Sequence, residues 1–303
     1  MSFIVISHPL CQQHEMVEGH SEQPARIDAV NEAIDRLKHV LHMQASPASR
    51  AQIERVHSRD YVDKVYQQAS QQGDQLLNPD THRKSYSLDA ALHAAGAVVQ
   101  GVDLLLSGHH KRIFCNVRPP GHHAESNQGM GGCIFNNIAI GVLHARRHYG
   151  VGRIAIVDFD VHHGNGTEQI LQNDTSTLFC SSFQHPFYPY SGADTESEHI
   201  LNLPLPADSE GDLFRYNASS WWLPKLYDFK PHLILISAGF GAHSANPRAK
   251  LNWQASDYTW ITNQLVKVAN YSAHGSILSV LEGGDSFSAL SESAEAHLRA
   301  LQD

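Results

Sequence analysis

The stretch that most constrains this chain runs from Arg153 to Glu168, RIAIVDFDVHHGNGTE. Ile154, Ala155, Ile156 and Val157 make a short apolar run, the pattern of a strand buried on both faces. Within a few residues the chain turns polar. Asp158, Asp160, His162 and His163 alternate carboxylates with imidazoles, and Gly164 and Gly166 close a turn before a helix. Asp160 and His162, two residues apart at the carboxyl end of a buried strand, suit a divalent metal with mixed oxygen and nitrogen ligands. Taken alone, an Asp-x-His pattern is more often a strand ending in a polar loop. The rest of the chain changes that balance.

An opening strand in MSFIVISHPL is followed by a polar loop, and Pro24 opens a helix with Ile27, Val30, Ile34 and Leu37 at helical spacing. A second helix is expected over Ile53–Ser70. Leu76–Tyr86 reads as irregular, with Asn78-Pro79-Asp80-Thr81 as its turn. Ala-rich Leu88–Leu106 reads as a buried helix packed on a sheet. Strands are then expected at Arg112–Val117, Ile154–Val157, Thr177–Phe183, Leu233–Ser237 and Ile277–Leu281. Helices alternate with them at Ile134–His148, after Gly166, at Asp212–Tyr227, at Ser256–Val268 and from Ala289. This alternation argues a parallel sheet with helices on both faces, in one domain over residues 1–303. The polar loops Arg118–Gly132, Asp158–Gly166, Gln184–Gly192, Gly239–Pro247 and Glu282–Ser286 would then share one sheet edge and form one site.

The net charge, 22 − 31 = −9, argues against a nucleic-acid or anionic-membrane surface. Four scattered cysteines, Cys11, Cys115, Cys133 and Cys180, have neither disulfide-framework nor zinc-ribbon spacing. They read as reduced thiols in a cytoplasmic protein. The opening residues lack a basic region before a very short apolar run, so no signal peptide or membrane span is expected.

In RPPGHHAE, Pro119 and Pro120 stiffen the approach and Gly121 allows close packing before His122-His123. Two neighbouring imidazoles in a rigid loop can both reach one bound water or substrate, as general acid and base require. RPPGHHAE, GGCIFNNIAI, IVDFDVHHGNGTE, PFYP, LISAGF and LEGG occur in this order. With the opening HPLCQQHEMVEGHSEQPAR, they make the chain resemble the histone deacetylase superfamily. The nearest branch is that of bacterial class II-like deacetylases and acetylpolyamine amidohydrolases. The resemblance runs from about His8 to about Leu301.

That resemblance implies the three-layer α/β arginase–deacetylase fold, with an eight-stranded, mostly parallel sheet and helices on both faces. It implies a catalytic Zn2+ held by two Asp and one His, with Asp160 and His162 in two of those positions. His122 and His123 match the tandem His that handle protons, with His123 as general base. Asp158 matches the residue that orients the first His and, with Ser182, holds a monovalent cation such as K+. Asn165 matches the partner of the second His. Substrate contacts are implied at Tyr188, Asp80 and the position of Gly132. The substrate would be a small-molecule or peptide acyl amide, and self-association is left open.

Four positions depart from the family pattern. The third metal ligand, the Asp of SAGFDA, is Gly241, with His243 the nearest substitute in sequence. The Tyr after LEGG is Asp285, the tunnel Phe is Gly132, and Tyr190 stands at the rim where Gly is usual. Losing one oxyanion donor typically costs ~10²–10³ in rate, and a carboxylate in its place repels the developing charge. The expectation is an impaired amidohydrolase, with a non-catalytic relative that binds an acylated or cationic ligand, or altered metal-assisted chemistry, as the alternatives.

Overall fold

The apolar runs become strands, in a computed structural model that describes residues 3–16, 19–69, 75–78, 81–83 and 86–303. In chain order they are β1 Phe3–Ser7, β2 Val40–Gln44, β3 Gln75–Asn78, β4 Thr81–Arg83 and β5 Arg112–Asn116. β6 Ile154–Asp158, β7 Thr177–Gln184, β8 Ile200–Leu205, β9 Leu233–Ala238 and β10 Ile277–Leu281 follow. Eight of them form one sheet in the order β2-β1-β5-β10-β9-β6-β7-β8. Every pairing in that sheet is parallel, so the sheet is wholly rather than mostly parallel.

β5, β6, β7, β9 and β10 are buried almost throughout, as the near-continuous apolar runs require of strands covered on both faces. The outer strands β2 and β8 are less apolar and partly exposed, with His42 in one and Pro204 in the other. Edge position explains both features and why no buried-strand pattern marks them. Leu76–Tyr86, expected to be irregular, instead carries the antiparallel pair β3–β4.

The two faces of β5 show the layering. Ile113 and its neighbour Leu278 lie against Gly101 of helix Ser87–Leu106, whereas Phe114 packs edge-on to His297 of helix Phe287–Gln302. Helix Ser87–Leu106 is long and apolar enough by composition to cross a membrane, yet it packs between helix Asn137–Tyr149 and the sheet. Asn136 caps that second helix by accepting the Ala139 N–H at 3.0 Å, and Gly150 ends it in the left-handed conformation. The helix expected over Asp212–Tyr227 is interrupted by a π-turn at Ala218–Trp222. Trp222 is buried there, and its indole N–H donates to the Leu201 carbonyl at 2.9 Å.

The chain path determines where a site can form. After β5 it jumps to β6 and leaves two sheet positions empty, which β9 and β10 fill later. Loops from β5, β6, β9 and β10 therefore meet over the centre of the carboxyl edge, the crevice position in a parallel α/β sheet.

Helix Ser87–Leu106 touches the preceding chain closely at Gly96. An ideal Cβ there would lie 1.8 Å from the Ser46 carbonyl oxygen and 2.7 Å from the Ala48 nitrogen. Alanine gains about 1 kcal/mol in helix propensity, but overpacking against backbone costs about 1–3 kcal/mol or more. Gly96→Ala is therefore expected to lower the melting temperature by a few degrees. A higher melting temperature would show that the Ser46–Ala48 segment yields freely.

Candidate active site

Parallel register carries Asp158 to the end of β6 opposite Ser237 of β9. Asp158 is fully buried and both of its oxygens are engaged. Oδ1 accepts the Asp160 N–H at 3.0 Å, and Oδ2 accepts His122 Nδ1–H at 2.9 Å. His123 is directed by a different chain of contacts. Asn165 Nδ2 donates to Glu125 Oε1 at 2.9 Å, which turns the amide oxygen toward His123 Nδ1 at 2.8 Å. A carboxylate only accepts, so the amide orientation and with it the Nδ1–H tautomer of His123 follow. Nε2 of His123 is left as an acceptor.

The two rings lie 4.0 Å apart between centroids, yet their environments separate them. Burial opposes a charge on His122, but the Asp158 and Glu282 carboxylates outweigh it and raise its pKa to about 10. Burial and the neighbouring His122 and His162 push His123 well below the ordinary imidazole value. At neutral pH His122 is the cation and His123 the neutral base. This is the acid–base division that catalysis by a pair of groups needs.

His122, His123, Asp160, His162 and Tyr188 line one cleft of about 150 Å³. His162 stacks on Phe187 with ring centroids 5.0 Å apart and planes at 10°, and Tyr188 stands edge-on to His123 at 5.2 Å. Asp160 is buried. Hydrogen bonds from His162 and the charge of His122 overcome the burial penalty and hold its pKa far below the usual carboxylate range. Its Oδ2 accepts the Gly283 N–H at 2.9 Å, and its Oδ1 lies 3.2 Å from His162 Nδ1.

Gly241 lines the cleft, its carbonyl accepting from Asn246 Nδ2 at 2.5 Å. Asp285 also lines it and accepts from Arg26 Nη2 at 2.6 Å, so its charge is paired rather than bare. His243 is not among the residues lining the cleft, and its Nδ1 accepts the Ala245 N–H at 3.1 Å. Gly131 rather than Gly132 lines the wall, in the left-handed conformation, where a Cβ would come within 2.4 Å of the His123 ring. Gly132, also left-handed, donates its N–H to Thr81 Oγ1 at 3.2 Å. Asp80 lies outside the described residues. Ser182 Oγ is buried with no hydrogen-bond partner among the described residues.

Three residues matter that motif reading did not single out. Arg26, nearly buried, donates Nε–H to the Gly284 carbonyl at 2.9 Å besides holding Asp285. Glu22 forms a two-pronged pair with Arg118, one bond measuring 2.6 Å, in the cleft wall. Glu282 accepts the N–H groups of Gly121 at 2.7 Å and His122 at 3.2 Å, and the Ser237 hydroxyl at 3.1 Å. All three lie within the quoted motifs or the opening segment that matches them, but motif spacing does not reveal what each side chain holds.

The sheet order and the loops meeting over its carboxyl edge define an α/β protein of the arginase–deacetylase fold. The crystal structure of the HDA15 HD domain matches it with a TM-score of 0.91 at 28% identity, covering 100% of this chain and 90% of that one. Residues 20–301 match the histone deacetylase domain. The chain is 37% identical over 298 residues to an uncharacterized protein of Synechocystis sp., covering 95% of this chain and 96% of that protein. It is 32% identical to the histone deacetylase-like amidohydrolase of Pseudomonas aeruginosa, over 88% of this chain and 72% of the relative. The chain belongs to the histone deacetylase family, as its motifs suggested.

That family is generally zinc-dependent. A catalytic zinc takes three protein ligands and keeps an open position. Here Asp160 Oδ1 and His162 Nδ1 face each other at 3.2 Å, and Gly241, which lines the same cleft, has no side chain to donate. Among the described residues no three His, Cys, Asp or Glu groups converge as a metal site. The side chains present do not fit a complete catalytic zinc centre.

Burial, reinforced by Asp158, raises the Glu282 pKa from 4.5 to about 7, against the opposing effects of the His122 charge and two N–H donors. A raised folded-state pKa means that the stability it contributes is full below pH 4.5 and is lost as pH rises through about 7. Glu282→Gln retains an acceptor for both N–H groups and does not titrate. Its melting temperature minus that of the parent should therefore increase from about pH 5 to about pH 8. A difference independent of pH in scanning calorimetry would show that Glu282 does not titrate with a raised pKa.

Proposed function

We propose that this chain is an amidohydrolase of the histone deacetylase family, directed at acylated lysine, acylated polyamine or a related small amide, whose hydrolytic step is impaired. The observation that carries this reading is the contrast within one cleft. Both His partnerships are intact, His122 with Asp158 and His123 with Asn165, while Gly241 and Asp285 stand where a metal ligand and an oxyanion donor are needed. Neutral His123, its Nε2 free to accept, is suited to take a proton from a bound water. Cationic His122 is suited to steady charge beside it. A monovalent cation at Asp158 and Ser182 is part of the same reading, resting on the family resemblance; the Ser182 hydroxyl has no hydrogen-bond partner among the described residues. The acidic net charge favours a small or peptide ligand over nucleic acid.

Zinc affinity tests the ligand deficit directly. Gly241 has no left-handed φ, so Asp can adopt its backbone, but an ideal Cβ would lie 2.6 Å from Val161 Cγ1. Gly241→Asp should bind zinc at least about tenfold more tightly than the parent in a competition titration. Adding Val161→Ala should increase the gain. Equal affinities of parent and Gly241→Asp would mean that another residue already supplies the third ligand.

The activity test is a double-mutant cycle on one fluorogenic acetyl-lysine substrate. Parent turnover should be slow or undetectable, and Gly241→Asp with Asp285→Tyr should raise kcat/KM by about 10²-fold or more. Either change alone should give much less, because ligand and donor act on the same carbonyl. A parent as fast as the double variant would overturn the impaired-site reading. Tight substrate binding with no turnover in any variant would favour a non-catalytic binding role.

A further inference from the structure

A second cavity, of about 420 Å³ and sharing no lining residue with the active cleft, lies where helix Asn137–Tyr149, helix Asn165–Leu171 and the turn at Arg55 meet. We propose that it binds a small oxyanion, a phosphate or a polycarboxylate. Arg55 and Arg146 both line it, with Ser126, Gln169, Asn173 and Asp174. Arg146 is already committed: Nη2 donates to Thr177 Oγ1 at 2.8 Å, and Nη1 pairs with Asp174. Asp174 in turn is saturated by Ser176 and Thr177 as well as Arg146.

Arg55 is different. Among the described residues it has no hydrogen-bond or ion-pair partner, and its Nη1 is buried without an acceptor. Arg146 Nε is likewise buried without an acceptor. Two guanidinium donors in one concavity thus lack acceptors, where buried polar groups are nearly always satisfied. Two cations against one carboxylate leave the cavity positive, in a chain whose net charge is −9. A guanidinium fork matches the paired oxygens of a phosphate or carboxylate.

Isothermal titration at constant ionic strength, with inorganic phosphate in one arm and citrate in the other, tests this. Saturable one-to-one binding of either anion is expected, and the arm that binds identifies the phosphoryl or carboxylate source. Arg55→Gln breaks no hydrogen bond or ion pair among the described residues, so its unliganded melting temperature should change little while binding weakens about tenfold or more. Arg59→Gln, at a side chain 84% exposed and outside the cavity, should leave affinity within about twofold. The proposal is overturned if neither anion binds saturably, or if Arg55→Gln binds as tightly as the parent.

Discussion

Asp158 ends β6 without solvent exposure, and its carboxylate connects the sheet to the chemistry. One oxygen fixes the backbone of Asp160 and the other fixes the ring of His122. A buried carboxylate without a partner is costly, and the pair is stable because His122 carries the compensating charge. Burial lowers the basicity of His123, and the His122 charge 4.0 Å away lowers it further, so Asp158 contributes to the difference between the two imidazoles. Removing either partner would leave the other buried without its hydrogen-bonded counter-charge. This requirement does not involve a metal, so the His122–Asp158 partnership does not depend on what stands at Gly241.

Gly241 and its surroundings form a consistent alternative packing rather than a gap. Val161 occupies the space that a Cβ would need, and Asn246 holds the Gly241 carbonyl. Asp160, which would share a metal with the missing ligand, instead has its charge met by the Gly283 and His162 N–H groups and by the His162 ring. The local electrostatics therefore balance without a third carboxylate. A restored Asp would have to displace Val161 and add a negative charge beside Asp160, and a bound cation would offset both.

The sheet interior was legible because burial on both faces leaves an apolar run with no competing explanation, as in Ile154–Val157. β2 and β8 were not, because edge strands face water and tolerate His42 and Pro204. The cleft residues His122, His123, Asp160, His162, Tyr188, Gly241 and Asp285 were legible from motifs whose spacing follows the strand ends. Partnerships between distant segments were not. Arg26 meets Asp285 across 259 positions and Glu22 meets Arg118 across 96, and no local pattern encodes either pairing. The distance of His243 from the cleft is of the same kind: proximity in sequence to Gly241 does not bring its ring to the lining.

If Asp285 stands at the position of an oxyanion donor, as proposed, a nearby cation such as Arg26 is the candidate to replace it. Its position in the cleft wall is suitable, but its donors are engaged. Nε is bonded to the Gly284 carbonyl, Nη2 to Asp285, and Nη1 lies 3.5 Å from the Glu282 carbonyl. To stabilise a developing oxyanion, Arg26 would have to release Asp285, whose carboxylate would then stand unpaired beside that same charge. The gain from one new donor is thus opposed by the repulsion it uncovers. Asp285 accordingly acts on the cleft twice, by lacking a donor of its own and by engaging the Arg26 guanidinium.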